Sequence, residues 1–195
     1  MTGLSQLTVY SVDPRTLAAV SRVIEHSGSS LERILIRQPT KLDYWLAESL
    51  PQRSLDLSVL EKLHDFAFLL RQQDHLGRHF LAWAAGNRFP KRLKSISVIM
   101  TAAFTQCLFE VDGRDFERLE GSLFRMIKGQ MGGCEVYIYA VEGTRRVTER
   151  MIRDELPRID VTGMLRVTIL RKLGANYLPS VDFTVDVHDR STSSG

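Results

Sequence analysis

Two segments in which apolar and polar residues alternate constrain the fold of this chain most. In residues 134–141, valine, isoleucine and alanine alternate with two tyrosines, and in residues 181–187 every second residue is valine or phenylalanine. Alternation with a period of two is typical of a strand that buries one face. Apolar spacing in 91–109 and again in 144–173 instead predicts helices, and residues 122–129 predict a further strand. From residue 91 to residue 187 the predicted order of elements is α-β-β-α-α-β, which indicates an α+β domain.

The N-terminal half carries mainly helical patterns. Residues 1–12 are compatible with a short strand or with an unfolded lead-in. Asp13 followed by Pro14 is a helix start, because an N-cap residue precedes proline at the first helical position. A stripe of apolar residues from Leu60 to Leu70 has the spacing of a longer helix. We find no internal repeat of fixed period, which counts against a solenoid.

These patterns predict a chain with two structured parts. Residues 1–87 are expected to form an all-α extension, residues 88–190 the α+β domain, and residues 191–195 a disordered tail. A length of 195 residues with 44% apolar residues is sufficient for a packed core. No apolar run approaches the ~20 residues that a membrane span requires. Two cysteines, Cys107 and Cys134, are too few for a disulfide scaffold and fit a reducing compartment.

Basic residues are concentrated in two stretches. Residues 75–109 contain no acidic residue, and residues 144–173 contain eight basic residues against four acidic ones. Lysines and arginines that neutralise phosphates give a protein sequence-independent affinity for nucleic acid. A solvated helix face has the same composition, so charge alone does not separate the two interpretations.

Tyr137 and Tyr139 lie on one face of the predicted strand 134–141. Such a pair is able to stack on nucleic-acid bases, as aromatic platforms do. The alternative, which we favour, is that the two rings pack beneath a helix or beneath the N-terminal part of the chain.

No motif indicates a catalytic or cofactor site. The chain lacks a Walker loop, a dinucleotide fingerprint, a nucleophile elbow and an HExxH sequence. His75 and His79 lie four residues apart on a predicted helix, but no cysteine or third histidine has ligand spacing, so we interpret them as part of a solvated face. We therefore expect a protein that is not an enzyme and that holds no cofactor and no metal.

Residues 163–186 resemble the C-terminal signature of the ribosome-binding factor A family. In that family a glycine opens the last helix, an arginine follows three residues later, and a proline precedes a strand with a central phenylalanine. Gly163, Arg166, Pro179 and Phe183 occupy these positions here. Two upstream segments, 134–139 and 91–96, look like the family's strand and first helix, so that the resemblance covers residues 88–188.

The resemblance and the element order both imply a type II KH-like domain with a three-stranded sheet. Such a domain needs a sharp junction between its paired helices, and the family forms it with an Ala-x-Gly kink. The matching triplet here is Val161-Thr162-Gly163, with valine in place of alanine. Glycine suits a sharp junction because it has no β-carbon, and proline ends a helix. The resemblance thus makes Gly163, Pro179 and Phe183 structural residues.

The family implies a non-enzymatic assembly factor that binds small-subunit rRNA late in maturation. Its partners are then the immature small ribosomal subunit and, through the N-terminal helices, other ribosomal or assembly proteins, with no membrane contact. The long N-terminal extension favours the mitochondrial matrix over the cytoplasm. The expected phosphate contacts flank the kink: Arg92, Lys94, Arg145, Arg146, Arg153, Arg166, Arg171 and Lys172.

Two alternatives remain open at this point. The chain is equally compatible with a permanent component of the small ribosomal subunit that has the same fold. It is also compatible with a protein–protein docking module, because the first half of the chain has nearly balanced charge.

Overall fold

Six short segments rich in aliphatic and aromatic residues form the strands of one sheet in the computed structural model. They are β1 (Gln6–Val9), β2 (Arg33–Arg37), β3 (Asp65–Leu70), β4 (Ser95–Met100), β5 (Glu135–Val141) and β6 (Leu165–Leu170). The described helices are α1 (Pro14–Ser27), α2 (Ala102–Glu110), α3 (Arg114–Ile127), α4 (Glu149–Glu155) and α5 (Pro157–Asp160). The structure describes residues 4–9, 14–27, 30–37, 55–71, 80, 83–110, 114–128, 130, 133–144 and 146–171.

All neighbouring strands are parallel, and their order in the sheet is their order in the chain. Residues that lie side by side on consecutive strands are 27, 32, 30, 40 and 29 positions apart along the sequence. The connections from β1 to β2, from β4 to β5 and from β5 to β6 contain described helices. Parallel strands in chain order with helical returns are the architecture of an α/β solenoid.

The helices pack on one face of this sheet. The first buried row on that face consists of Ile34, Phe66, Ile96, Val136 and Leu165, which are register partners across five strands. The same core cluster contains buried residues of all five described helices, namely Ile24, Phe104, Leu119, Ile152 and Ile159. Among the described residues, the helices thus cover one face of the sheet, and the second face is formed by side chains of the strands.

The turns that enter β3 and β4 repeat one local pattern. Before β3, buried leucines recur at every third position, and the backbone N–H of Leu60 donates to the carbonyl of Leu57 at 3.1 Å. Before β4, the N–H of Leu93 donates to the carbonyl of Pro90 at 3.2 Å. The chain thus carries structural repeats, and the expectation against a solenoid is wrong. The unequal turn lengths, from 27 to 40 residues, hide the repeat from a search for a fixed period.

The expected type II KH-like fold is also wrong. The sheet has six parallel strands, not three, and β1 to β3 lie within residues 1–87, which were expected to be all-α. Strands β3 and β4 pair across the expected boundary between residues 87 and 88. The final predicted helix is in fact β6, and the predicted strand 122–129 is largely the end of α3.

The errors share a physical cause. All six residues of β4 are buried, and so are five of the six in β3. A strand buried on both faces is a continuous apolar run, in which a helix-like spacing is found by chance. The local signal at Asp13-Pro14 did not depend on packing and was correct, because α1 begins at Pro14. Among the described residues, no helix has the length and hydropathy that crossing a membrane requires.

Candidate functional site

The second face of the sheet is the side opposite the helices. Its central residues form a small apolar cluster, to which the described helices contribute only Ala102. The buried members on the strands are Leu35, Ala67, Leu69, Ile99, Tyr139, Val141 and Leu170. Polar and partly exposed side chains lie around this cluster, and they concentrate at the strand beginnings and on β5 and β6.

At the strand beginnings the polar side chains converge on one carboxylate. Asp65 accepts a hydrogen bond from the Ser95 hydroxyl at 2.5 Å, and its other oxygen lies 3.0 Å from His64 Nδ1 and 3.4 Å from Arg33 Nε. Serine and histidine both contact the carboxylate here rather than each other. Activation of a serine nucleophile needs the imidazole next to the hydroxyl, which is not the arrangement of Ser95 and His64 here. Within the described parts of the chain, no group of potential ligands is placed to hold a metal ion.

Two tyrosines of β5 are held rigidly on the second face. The rings of Tyr137 and Tyr139 stack with centroids 6.2 Å apart and planes 8° apart. Tyr139 is buried, whereas Tyr137 is half-buried and donates a 2.5 Å hydrogen bond to Glu135 Oε2. This hydrogen bond, with burial and the nearby negative charge, raises the pKa of Tyr137 to about 12. The favoured interpretation is packing beneath a helix or beneath the N-terminal part of the chain. The rings lie on the face opposite the described helices, in the cluster that also contains Leu35, Ala67 and Leu69 of the N-terminal part.

Arg166 of β6 completes a three-residue group with the same carboxylate. Its Nη2 lies 3.1 Å from Glu135 Oε1, and its Nη1 donates to the carbonyl of Gly163 at 2.8 Å. The Arg166 side chain is still 49% exposed. One carboxylate therefore orients both a tyrosine and an arginine toward solvent at the β5–β6 end of the sheet.

A cleft of about 370 Å³ opens beside this group. Two strands and one helix line it, with Tyr137, Tyr139, Glu149, Arg153, Arg166, Val167 and Thr168. We call it the β6 cleft. Its second arginine, Arg153, donates from Nε to Glu149 at 2.9 Å and from Nη1 to Asp160. Both hydrogen bonds raise the pKa of Arg153 above its usual value.

The elements before β6 are fixed by two capping arrangements. Thr148 caps α4 through its hydroxyl, which accepts from the N–H of Met151 at 3.3 Å. Glu120 of α3 is buried, and its Oε1 accepts from the N–H groups of Arg158 at 2.6 Å and Ile159 at 3.2 Å. The N–H of Ile159 also donates to the carbonyl of Leu156 at 3.2 Å, so the carboxylate of Glu120 adds a second acceptor there and supplies the acceptor for Arg158. Gly163 then turns the chain into β6 with a φ of +71°.

The predicted phosphate contacts do not form one basic surface. Arg92 and Lys94 are exposed in the turn before β4, whereas Arg171 is exposed after the end of β6. Because all strands are parallel, a position before β4 and a position after β6 lie at opposite ends of the sheet. A strand of six residues separates these two ends by roughly 20 Å, at ~3.3 Å per residue. Arg146 is exposed between β5 and α4.

Only two of the predicted contacts, Arg153 and Arg166, line the β6 cleft, and both are paired with carboxylates. Four other predicted site residues lie outside the described residues: Arg145, Lys172, Pro179 and Phe183. Gly163 is described, and it lies in a turn between a helix and a strand instead of between two helices.

Sequence reasoning did not single out two carboxylates that shape the site, Glu135 and Asp160. For Glu135 a signal existed, because it lies two residues before Tyr137 and therefore on the same strand face. Its pairing with Arg166 requires the register between β5 and β6, which the sequence does not display.

Comparisons with known proteins give no relative. No protein-family model, no curated protein and no solved structure matches this chain.

Proposed function

We propose that this protein is a non-enzymatic protein-binding module. It uses the second face of an α/β solenoid, with the β6 cleft as the centre of contact. The observation that carries the proposal is the one-sided packing: the described helices occupy one face, and the other presents matched rows of side chains from successive turns. Solenoids use such extended faces to bind other macromolecules.

The side chains of the cleft are those of protein–protein contacts. Tyrosine and arginine are enriched among the residues that dominate interface energies. Tyr137 and Arg166 are already held in place by Glu135 and by the stacked ring of Tyr139. Little side-chain entropy then remains to be lost on binding, which favours affinity.

The charges of the cleft favour a protein over a nucleic acid. Arg153 and Arg166 contact three carboxylates, those of Glu135, Glu149 and Asp160. Binding to a phosphate backbone depends on cations that replace condensed counterions. Two arginines beside three carboxylates provide no excess positive charge for that purpose.

The titratable groups of the cleft are unsuited to acid–base catalysis near neutral pH. Tyr137, with a pKa of about 12, keeps its proton and directs it at Glu135. Arg153 is held cationic by two carboxylates. An effective general acid or base has a pKa near the working pH, so binding is the function that these groups support.

Association with small-subunit rRNA, a role in ribosome assembly and a place in the mitochondrial matrix remain predictions from the family resemblance. The KH-like fold that the resemblance implied is not the fold of this chain. A crosslinking experiment that distinguishes a protein partner from RNA therefore tests both assignments.

A photocrosslinking amino acid at position 168 in the full chain tests the proposal in cells. Thr168 is exposed and lines the cleft, and the matched control position is Glu117, which is exposed on α3. We expect discrete crosslinks to protein from position 168 only, resistant to ribonuclease and strongly reduced by Tyr137→Ala. Equal crosslinking from both positions contradicts a site at the cleft, and crosslinks that ribonuclease removes favour the rRNA prediction.

A further inference from the structure

The turns that enter β3 and β4 carry exposed side chains in matching positions. Both turns have the same local hydrogen-bond pattern. Asp65 and Ser95, with which the two strands begin, are register partners. The residues three positions earlier, Lys62 and Arg92, therefore occupy equivalent places on adjacent turns. Because neighbouring strands lie roughly 5 Å apart, these two cationic side chains begin close together.

Four basic side chains on these turns have no carboxylate partner. They are Lys62, Lys91, Arg92 and Lys94, and all four are exposed. In the part of the chain that the structure describes, none of these side chains has a hydrogen bond or an ion pair. We call these four residues the basic edge. Other arginines do contact carboxylates, namely Arg33, Arg88, Arg150, Arg153 and Arg166.

Three acidic residues lie on or next to the same turns, and two of them are already paired. Asp56 lies 3.7 Å from Arg88 Nη1, and Asp65 lies 3.4 Å from Arg33 Nε. The third is Glu61, which is exposed. The four positive charges of the basic edge therefore face one unpaired negative charge. Such a local excess of positive charge attracts a polyanion.

The composition of the basic edge favours phosphate groups over a protein surface. Three of its four residues are lysines, which are depleted in protein–protein interfaces. Phe89, the aromatic residue beside it, packs against Phe66 with ring centroids 4.9 Å apart. Val59, at 54%, is the one exposed large hydrophobic side chain on the described turns. Lysine binds phosphate as a point charge and needs no such anchor.

A nucleic acid fits this arrangement better than a membrane does. Stable membrane attachment requires two signals, such as a lipid chain together with a basic patch, and a single valine adds little apolar area. The cations of the basic edge instead follow two adjacent turns. A row of this kind is able to track the phosphates of one nucleic-acid strand.

We propose that the basic edge binds the phosphate backbone of a single-stranded nucleic acid without reading its bases. Each of its four side chains neutralises one phosphate. The basic edge belongs to the turns before β3 and β4, whereas the β6 cleft is lined by residues of β5, β6 and α4. The two surfaces are separate, so the protein joins a protein partner to a nucleic acid.

Fluorescence anisotropy of labelled polyuridylate with the full chain tests this proposal. Four phosphates neutralised on a single strand predict a slope of about −2.8 for log K against log salt. Binding should then weaken roughly fiftyfold between about 50 and about 200 mM salt. Replacing all four residues by glutamine should remove most of the binding at low salt. Lys62→Gln and Arg92→Gln alone should each reduce the slope by about 0.7.

A matched control removes four exposed positive charges elsewhere, through the combined changes Arg125→Gln, Arg146→Gln, Arg150→Gln and Arg171→Gln. It should leave the slope unchanged, and circular dichroism should show both quadruple variants folded, because exposed substitutions cost little stability. Failure of the unmodified chain to bind polyuridylate at low salt overturns the proposal, and so do equal losses in both quadruple variants. Tighter binding, at equal anionic charge, to phosphatidylserine vesicles or to polyglutamate overturns it in favour of a membrane or an acidic protein.

Discussion

Replacing Glu120 by alanine should destabilise the fold far more than its position on a helix suggests. The side chain is 5% exposed, and its Oε1 accepts from the N–H groups of Arg158 and Ile159 at 2.6 and 3.2 Å. Alanine leaves the N–H of Arg158 without this partner, whereas the N–H of Ile159 keeps the carbonyl of Leu156 at 3.2 Å. A hydrogen bond to a charged group contributes about 1.5–3 kcal/mol, and an unsatisfied buried donor costs about 1–3 kcal/mol. Since the Arg158 group is only partly buried, we expect a loss of ~2–4 kcal/mol.

Glu120→Gln separates the hydrogen bond from the charge. Glutamine keeps a carbonyl oxygen at the same position, so we expect a smaller loss, of ~1 kcal/mol. Glu117→Ala is the matched control, because it removes an exposed carboxylate three residues earlier on the same helix and should cost less than ~0.5 kcal/mol. Urea unfolding followed by circular dichroism measures all three free energies. If Glu120→Ala and Glu117→Ala unfold at the same urea concentration, the capping role of Glu120 is refuted.

Three further predictions follow from single residues. Gly163→Ala should lower the free energy of unfolding by ~1–2 kcal/mol, because φ is +71°. A β-carbon there meets nothing within 4 Å, so urea unfolding should show no additional loss from a clash. In a Cys107→Ser background, Cys134 should react with Ellman's reagent at pH 8 only after unfolding, because burial raises its thiol pKa to about 12, and rapid reaction of the folded protein contradicts this. Ultraviolet titration should show Tyr137 ionising near pH 12. Since this pKa is higher than the usual value of about 10, the contribution of Tyr137 to stability is complete below pH 10 and lost as the pH rises to 12. Glu135→Gln should bring the pKa closer to 10, and an unchanged titration rules out the hydrogen bond as its main cause.

Several elements could be predicted from the sequence because their signals are local. The Asp13-Pro14 pair marks the beginning of α1, since proline fixes its own backbone angle and lacks an N–H. The alternation in residues 134–141 gave β5 and placed Tyr137 and Tyr139 on one face. The requirement for glycine at position 163 was also recognised, although the turn it forms is a different one.

The strands β2, β3, β4 and β6 could not be predicted in this way. In β3, alanine and leucine at positions 67 and 70 continue a helical stripe that starts at Leu60, while Phe66 and Phe68 fit a strand equally well. The free-energy difference between the two conformations comes from pairing with strands about 30 residues away on either side. Such non-local contacts override local propensity.

What the sequence by itself determined is therefore the inventory of the site: a tyrosine pair on one strand face, and a basic stretch in residues 144–173 with eight basic residues against four acidic ones. The tertiary structure decided what those residues do. The register between β5 and β6 brings Arg166 to Glu135, 31 residues earlier, and so converts an expected phosphate contact into one side of an ion pair. Coulomb and hydrogen-bond energies depend on distances between atoms, and those distances exist only once the strands have paired.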